Sequence, residues 1–347
     1  MKYLRHMAVL AAMTIVMAAC TGEGASPAAD ESEPAASDAV ESQAAEMPEE
    51  LVIGFVPSRE ADALVETIQP VADALSESLG IPVEGVVTSD YTGLVTAMES
   101  GQAQIGAFGP FSLLQARDRA GAEIILQSER FGSATYHTQF MTNNPDKYCE
   151  DEPVAVETEV EGGTVELLYC NGTDQAEEGP ASIEALANMD PGTTVSFVEQ
   201  ASASGYIFPA TIFIQQGFDI EADVDPVFAG AHDASVIAVC DGTAEVGVSF
   251  DDARGDAIDA GAACDVAANV VVFALGPEIP NDGWAVAGDL PDEVKENIKQ
   301  ALLDYAATDE GVEVLESIYN ITGLVEADQE SFSIVEDAAA ELGIEGD

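Results

Sequence analysis

Apolar runs of strand length alternate with segments of helical periodicity in the first part of the chain. Residues 51–56 form an apolar run, and residues 61–79 carry apolar side chains at helical spacing before Gly80. The predicted elements are strands at 51–56, 82–88 and 104–108 and helices at 61–79, 91–100 and 111–120. Strand, helix and strand in succession are typical of an α/β sheet with parallel strands.

The pattern changes after residue 126 and then resumes. A second α/β series runs from Ser182 to about Cys264, and Pro291 opens an amphipathic helix that continues to residue 303. Roughly 300 folded residues in two alternating series exceed the usual size of one domain. The pattern therefore predicts an α/β fold with two lobes.

The N-terminus has the features of an export signal. Lys2 and Arg5 precede an apolar run, residues 7–19, that is shorter than the about 20 residues of a membrane-spanning helix. Residues 17–20 resemble the lipobox of bacterial lipoproteins, which implies a signal peptide at 1–19 and acylation of Cys20. Without a functional lipobox, the protein would be an ordinary secreted one. Residues 20–50 then form an acidic tether with too few apolar side chains to fold.

Charge limits the possible partners. The chain has 65 Asp and Glu residues against 10 Lys and Arg, a formal net charge of -55. Such a field repels nucleic acid and anionic membrane surfaces, so we expect no nucleic-acid partner and membrane contact through the lipid anchor only. Two interpretations of the acidity stay open, a solvated surface suited to saline surroundings and the recruitment of cationic ligands.

Four cysteines remain after Cys20, and an even number in an exported chain favours disulfides. Cys149 and Cys170 flank a hairpin-like segment, whereas Cys240 ends a predicted helix and Cys264 follows another nearby. These positions favour the pairs Cys149–Cys170 and Cys240–Cys264. A zinc site is the alternative, but the close Cys-x-x-Cys spacing of such sites is missing, and we expect no metal.

The junction between a predicted strand, 194–198, and a predicted helix, 207–214, carries a Ser-x-Ser-Gly turn. Ser202 and Ser204 place hydroxyls there, next to backbone N–H groups that have no partner inside the helix. Oxyanions bind at such helix N-termini. The alternative is that the serines only cap the helix.

Five segments occur in an order that resembles the periplasmic substrate-binding proteins of phosphonate, phosphite and phosphate ABC transporters. They are residues 89–91, 106–110, 202–206 with Pro209, 230–233 with 238–239, and 277–282. The resemblance implies a clamshell of the type II class, in which each lobe is a mixed sheet flanked by helices. Lobe 1 would comprise 51–138 and 273–347, lobe 2 would comprise 139–272, and crossing segments near Thr138 and Val272 would form the hinge.

The resemblance also implies which residues contact the ligand. The serine turn would grip oxyanion oxygens, and His232 would donate to the anion and, if protonated, add a positive charge. Asp251 would receive the amine of an aminoalkylphosphonate. The implied ligand-binding residues are Tyr91, Tyr136, Ser202, Ala203, Ser204, Gly205, His232 and Asp251. We expect Arg59 to be solvated, because an exposed arginine is the commoner case.

The implied function is that of a receptor without a catalytic role, cofactor or metal. It would capture a small phosphorus oxyanion outside the cytoplasm, anchored by Cys20, and deliver it as a monomer to an ABC permease and ATPase. The alternatives are a cationic or heterocyclic ligand on the same fold, a sensory domain, and a serine hydrolase using Ser204, His232 and Asp251. The hydrolase lacks the Gly-x-Ser-x-Gly elbow. Which phosphorus compound is preferred stays open.

Overall fold

A computed structural model describes residues 47–160, 163–175 and 179–344. The predicted signal peptide, Cys20 and nearly all of the tether lie outside these residues. The described strands are β1 (Leu51–Phe55), β2 (Val83–Val87), β3 (Ile105–Phe108), β4 (Glu123–Glu129), β5 (Thr135–Thr142), β6 (Val154–Val160), β7 (Gly163–Tyr169), β8 (Thr193–Phe197), β9 (Val224–Phe228), β10 (Val246–Phe250), β11 (Val271–Pro280), β12 (Gly283–Val286) and β13 (Gly323–Glu326).

The α-helices lie between these strands and at the C-terminal end. They are α1 (Ala61–Thr67), α2 (Gln69–Leu79), α3 (Tyr91–Glu99), α4 (Pro110–Ala120), α5 (Pro145–Tyr148), α6 (Phe208–Gln215), α7 (His232–Cys240), α8 (Ala253–Asp259), α9 (Val266–Asn269), α10 (Asp292–Ala306), α11 (Asp309–Tyr319) and α12 (Ser333–Glu341). Two short 3₁₀ segments, Thr173–Gln175 and Ile183–Asn188, and a π-helical turn, Ala203–Ile207, complete the described helices. None of the described helices is long and apolar enough to cross a membrane.

The first sheet has six strands in the order β13-β4-β12-β3-β1-β2. β1 lies between β2 and β3 and is parallel to both, as the βαβ pattern predicts. β12 is antiparallel to β3 and β4, and β13 is antiparallel to β4. The C-terminal part of the chain therefore returns to complete the sheet that the N-terminal part begins.

The second sheet has seven strands in the order β6-β7-β11-β5-β10-β8-β9. Its centre is β5, which is antiparallel to both β10 and β11. β6 and β7 form the antiparallel hairpin that the cysteine-flanked segment predicts. Both sheets are thus mixed and flanked by helices, which confirms the predicted fold class.

The chain passes between the two sheets at residues 130–134 and again at 281–282. The predicted boundaries near Thr138 and Val272 fall inside β5 and β11, which pair with each other from Thr135–Pro280 to Thr142–Val271. The chain crosses from one sheet to the other in the short connections next to these strands. The division into lobes at Thr138 and Val272 stays a prediction.

Two predicted helices differ from those in the structure because of prolines. The single helix expected at 61–79 is broken at Ile68, since Pro70 has no N–H to donate to the carbonyl of Glu66. The helix expected at 207–214 is preceded by the π-helical turn. Pro209 cannot bond to the carbonyl of Gly205, which accepts instead from the Val198 N–H at 3.0 Å.

Each sheet has an aromatic cluster in its core. In the first, Phe55 meets Trp284 edge to face at 5.9 Å between ring centroids. In the second, Tyr148 stacks on Phe273 at 4.7 Å. Both predicted disulfides, Cys149–Cys170 and Cys240–Cys264, are present and fix segments that flank the second sheet.

Candidate ligand-binding site

A small cavity of about 20 Å³ lies where segments of both sheets meet. Connections after β1, β2, β3 and β4 contribute from the first sheet, and β5, β10, the π-helical turn and α7 contribute from the second. Its lining residues are Val56, Ser58, Arg59, Tyr91, Gly109, Pro110, Arg130, Tyr136, Ser202, Ala203, Ser204, His232, Phe250, Asp282 and Tyr319. Six of the eight predicted ligand-binding residues are among them.

Four helix N-termini converge on this cavity. α3 begins at Tyr91, α4 at Pro110, the π-helical turn at Ala203 and α7 at His232, and all four residues line the cavity. The first N–H groups of a helix have no internal acceptor, and the helix dipole makes this end partly positive. The partly positive ends of these helices therefore favour an anion in the cavity. Some of their first N–H groups already have partners, since the His232 N–H donates to the Ser58 carbonyl and the Gly205 N–H donates to the Ser202 Oγ.

The serine turn folds around Ser202, which caps it. The Ser202 Oγ accepts from the Gly205 N–H at 3.1 Å, and the Ser202 carbonyl accepts from the N–H groups of Tyr206 and Ile207, both at 3.0 Å. Gly205 does not line the cavity, but a Cβ there would lie 2.4 Å from the Val198 Cβ, so only glycine fits. Ser202 thus caps the turn and also lines the cavity, so the two interpretations of the serines are compatible.

His232 is oriented by two donors on one side of its ring. Its Nδ1 lies 2.9 Å from the Ser249 Oγ and 3.4 Å from the backbone nitrogen of Phe250. Because a backbone N–H can only donate, Nδ1 accepts, and the proton of the neutral ring lies on Nε2. Nε2 is 3.4 Å from the Ser202 Oγ and so faces the cavity.

The charge state of His232 follows from its burial. Burial lowers its pKa to about 3, and the nearby Arg130 and Arg59 add to the shift. The ring is therefore neutral at physiological pH in this arrangement. It offers the cavity a neutral N–H donor, not the positive charge that a protonated histidine would supply.

Tyr91, at the start of α3, and Tyr136, in β5, are both buried and line the cavity. Burial raises the pKa of both phenols, and the carboxylate of Asp282 raises them further. Side-chain hydrogen bonds with Ser202, for Tyr91, and with Ser204, for Tyr136, act in the opposite direction. Both phenols stay protonated at neutral pH and are available as donors.

Arg130 is a cavity residue that the sequence analysis missed. Its Nε donates to the Tyr319 carbonyl at 2.6 Å, its Nη1 donates to the Asn281 Oδ1 at 2.8 Å, and its Nη2 forms an ion pair with Asp282. Burial opposes its charge, but Asp282 and its other partners hold the pKa of Arg130 above the ordinary value. The signal that would have found it is the rarity of basic residues, since the whole chain has only 10.

Arg59 also lines the cavity, and the expectation that it is solvated was wrong. Its side chain is 18% exposed, and its Nη2 lies 2.8 Å from the Asp256 Oδ1. Its Nη1 donates to the Ser317 carbonyl at 3.0 Å. Burial raises the pKa of Asp256 to about 6, although the charge of Arg59 acts against this shift.

The structure does not bring Asp251 to this cavity. Its carboxylate accepts from the His137 backbone N–H at 2.7 Å and lies 3.1 Å from the His137 Nδ1. The Nε2 of the same ring accepts from the Gly179 N–H at 3.0 Å. Asp251 thus pairs with His137, whereas the His232 Nδ1 lies against Ser249. A triad of Ser204, His232 and Asp251 is therefore not assembled.

Comparison with known proteins agrees with this geometry. The family described as "ABC transporter, phosphonate, periplasmic substrate-binding protein" matches residues 53–332. The Phosphate-import protein PhnD of Mycolicibacterium smegmatis is 28% identical over 223 residues, which are 62% of this chain and 60% of that protein. The match thus spans less than two thirds of that relative.

Solved structures share the fold. PhnD1 of Prochlorococcus marinus, in complex with methylphosphonate, superposes with a TM-score of 0.69 at 18% identity and covers 86% of this chain and 100% of its own. A binding protein component of the ABC phosphonate transporter of Pseudomonas aeruginosa gives a TM-score of 0.66 at 18% identity, covering 83% and 85%. Both have the two-lobed periplasmic-binding-protein fold. With the match over residues 53–332, these findings show that the chain belongs to the family of periplasmic substrate-binding proteins of phosphonate ABC transporters.

Proposed function

We propose that this protein captures a small phosphorus oxyanion outside the cytoplasm and delivers it to an ABC permease and its ATPase. One observation carries the proposal: four helix N-termini, two serine hydroxyls, two phenols and the His232 Nε2–H meet at one buried cavity. A tetrahedral oxyanion needs several donors that converge on it from different directions. The family and the names of the relatives point to the same ligand class.

A site of this kind explains how a chain of net charge -55 binds an anion. Salt screens exposed charges beyond about 8 to 10 Å, whereas donors in the cavity act on the ligand directly. The two arginines at the cavity are each paired with a carboxylate, Arg130 with Asp282 and Arg59 with Asp256. Their charges are largely offset, so neutral donors supply most of the attraction.

A closed clamshell would account for the burial of the cavity. Segments that carry the first sheet contact segments that carry the second: the His232 N–H donates to the Ser58 carbonyl at 3.1 Å, and Thr211 Oγ1 donates to the Ala338 carbonyl at 3.1 Å. We propose that a hinge motion separates the lobes, 51–138 with 273–347 and 139–272, to admit the ligand.

The remaining features of the proposal concern the protein's place in the cell. Cys20 would carry the lipid that holds the protein at the membrane, and residues 20–50 would tether the lobes to it. The protein would act as a monomer and without catalysis. Mass spectrometry of the mature N-terminus tests the lipid attachment and the cleavage before Cys20.

Calorimetric titration of the purified protein with phosphate, phosphite, methylphosphonate and 2-aminoethylphosphonate tests the function. We expect saturable binding of at least one of these compounds. Ser202→Ala should weaken that binding by roughly ten- to a hundredfold, because a hydrogen bond to a charged group is lost. Ser100→Ala is the matched control, since its hydroxyl is exposed and donates to the Thr96 carbonyl. Absence of heat and of any thermal shift with all four compounds would refute the proposal.

A further inference from the structure

A buried ion pair joins segments of the two sheets beside the anion cavity. Arg59 lies in the connection between β1 and α1, whereas Asp256 lies on α8, which follows β10 of the second sheet. The Arg59 Nη2 is 2.8 Å from the Asp256 Oδ1. Arg59 directly follows Ser58, whose carbonyl accepts from the His232 N–H at 3.1 Å. A hinge motion that separates the sheets would break both contacts.

Asp256 has few partners for a buried carboxylate. Its side chain is 10% exposed, and its Oδ1 accepts from the Asn320 Nδ2 at 3.5 Å in addition to the contact with Arg59. Its Oδ2 is buried, and no donor among the described residues reaches it. Removing a charge from water can cost more free energy than its ion pair returns. The ionised carboxylate therefore opposes the burial that closure of the clamshell would impose on it.

Arg59 connects Asp256 with the anion cavity. Its side chain lines that cavity and also a neighbouring cavity of about 180 Å³, which Asp256 and Asp233 line as well. An ionised Asp256 offsets the positive charge of Arg59 at short range, whereas a protonated Asp256 does not. The charge that Arg59 presents to a bound oxyanion thus depends on the protonation of Asp256.

The surroundings of Asp256 favour its protonated form. Burial raises its pKa to about 6, and the carboxylate of Asp233 adds to this shift, whereas Arg59, Asn320 and Arg130 act against it. Other acids lie around α8, two beside the neighbouring cavity and three exposed on β6 and at the start of α9: Glu60, Asp259, Glu157, Glu159 and Asp265. Asp256 therefore takes up a proton as the pH falls through about 6.

We propose that Asp256 controls closure of the clamshell by its protonation, although it does not touch the ligand. The ionised carboxylate opposes closure, whereas the protonated carboxyl permits it and leaves Arg59 to attract the anion. This inference rests on the proposed function and on its hinge motion. The closed arrangement buries the carboxylate and binds its proton more tightly than an open arrangement that solvates it. Protonation of Asp256 therefore favours closure and the ligand that closure encloses.

Calorimetric titration with the same four phosphorus compounds, at about pH 7.5 and at about pH 5, compares the unaltered protein with Asp256→Asn. Because the ionised carboxylate opposes closure, the variant should bind more tightly than the unaltered protein at the higher pH. With a pKa of about 6 in the closed form and 3.8 when solvated, this advantage should shrink about tenfold at the lower pH. Only the ratio of the two dissociation constants is informative, because protonation of the ligand and of His232, whose pKa burial lowers to about 3, affects both proteins.

Asp259→Asn is the matched control. Asp259 lies one turn further along α8 and is exposed, so the substitution removes the same charge from the same helix. The ratio of its dissociation constant to that of the unaltered protein should be equal at the two pH values. Thermal unfolding gives a second measurement. Because the ionised Asp256 is costly, Asp256→Asn should melt no lower than the unaltered protein at the higher pH.

The outcomes separate the inference from the function on which it rests. If a phosphorus compound binds but the ratio for Asp256→Asn stays constant between the two pH values, the role of Asp256 is overturned and the function stands. Weaker binding by Asp256→Asn at the higher pH, or failure of this variant to fold, overturns that role as well. If no phosphorus compound binds to any of the three proteins, the proposed function and the inference fail together.

Discussion

Single side chains in the cavity donate hydrogen bonds in directions that their neighbours fix, and His232 is the clearest case. Ser249 and the Phe250 N–H on one side of the ring leave Nε2–H as the group that faces Ser202. Arg130 and Asp282 form a paired charge beside it. The site therefore distinguishes ligands by where donors and acceptors lie more than by net charge.

The burial of His232 predicts a pH dependence of stability. Its ordinary pKa is 6.5 and its pKa in the folded protein is about 3, so the unfolded chain binds a proton that the folded protein does not. This contribution to the free energy of unfolding is complete above about pH 6.5 and is lost as the pH falls toward 3. His232→Gln should remove it and give a flatter profile across that window.

Denaturant unfolding of both proteins over this pH range measures the effect. Only the difference between them is informative, because Asp256, with a pKa of about 6, contributes with the opposite sign to both. Parallel profiles for the two proteins would contradict the neutral, buried state of His232.

At the scale of elements, the π-helical turn connects β8 to α6 and brings the serines to the cavity. Its geometry depends on Pro209, which leaves the Gly205 carbonyl to the Val198 N–H, and on the absence of a side chain at Gly205. The contact between α6 and α12, through Thr211 and Ala338, then joins the turn to the C-terminal helix.

Gly205→Ala should disrupt this turn. The added Cβ would lie 2.4 Å from the Val198 Cβ and 2.8 Å from the Ser202 Oγ, so we expect a loss of about 1 to 3 kcal/mol in the free energy of unfolding and a marked loss of ligand affinity. Gly255→Ala in α8 is the control. Its nearest neighbour would be 3.7 Å away, and alanine there should be neutral or stabilising. Thermal unfolding and calorimetry check both variants, and equal behaviour would refute the account of the turn.

Features formed by residues close together in the chain were predictable from sequence. Contacts between residues far apart in the chain were not. The serine turn, the strand before it and the start of α7 follow from residues close together in the chain, so their pattern predicts them. Arg130 and Asp282 are 152 residues apart, and nothing in either segment indicates that they pair. Asp251 was placed near the ligand by resemblance, but its orientation depends on the register between β5 and β10, which the sequence does not reveal.

At the scale of the whole molecule, the two disulfides stabilise the second sheet and its helices without touching the cavity. They close loops with sequence separations of 21 and 24 residues, and bridges of this kind contribute about 2 to 4 kcal/mol. Replacing Cys149 and Cys170 by alanine should lower the melting temperature and leave the ligand affinity of the folded protein unchanged. Calorimetric titration below the melting temperature measures this affinity. A loss of affinity together with stability would contradict the prediction.

The whole molecule also presents the central contrast between an acidic surface and an oxyanion site. If long-range charge governed binding, added salt would change the affinity strongly, since it screens the repulsion. If the donors of the cavity govern it, the affinity depends little on salt and greatly on Ser202.

The most direct test is a calorimetric titration of the protein with phosphate and with methylphosphonate at low ionic strength and again at about 1 M sodium chloride, where the screening length is about 3 Å. The account predicts saturable binding of at least one of the two compounds, with dissociation constants that agree within about threefold between the salt conditions. No binding in either condition, or binding that appears only at high salt, would contradict it.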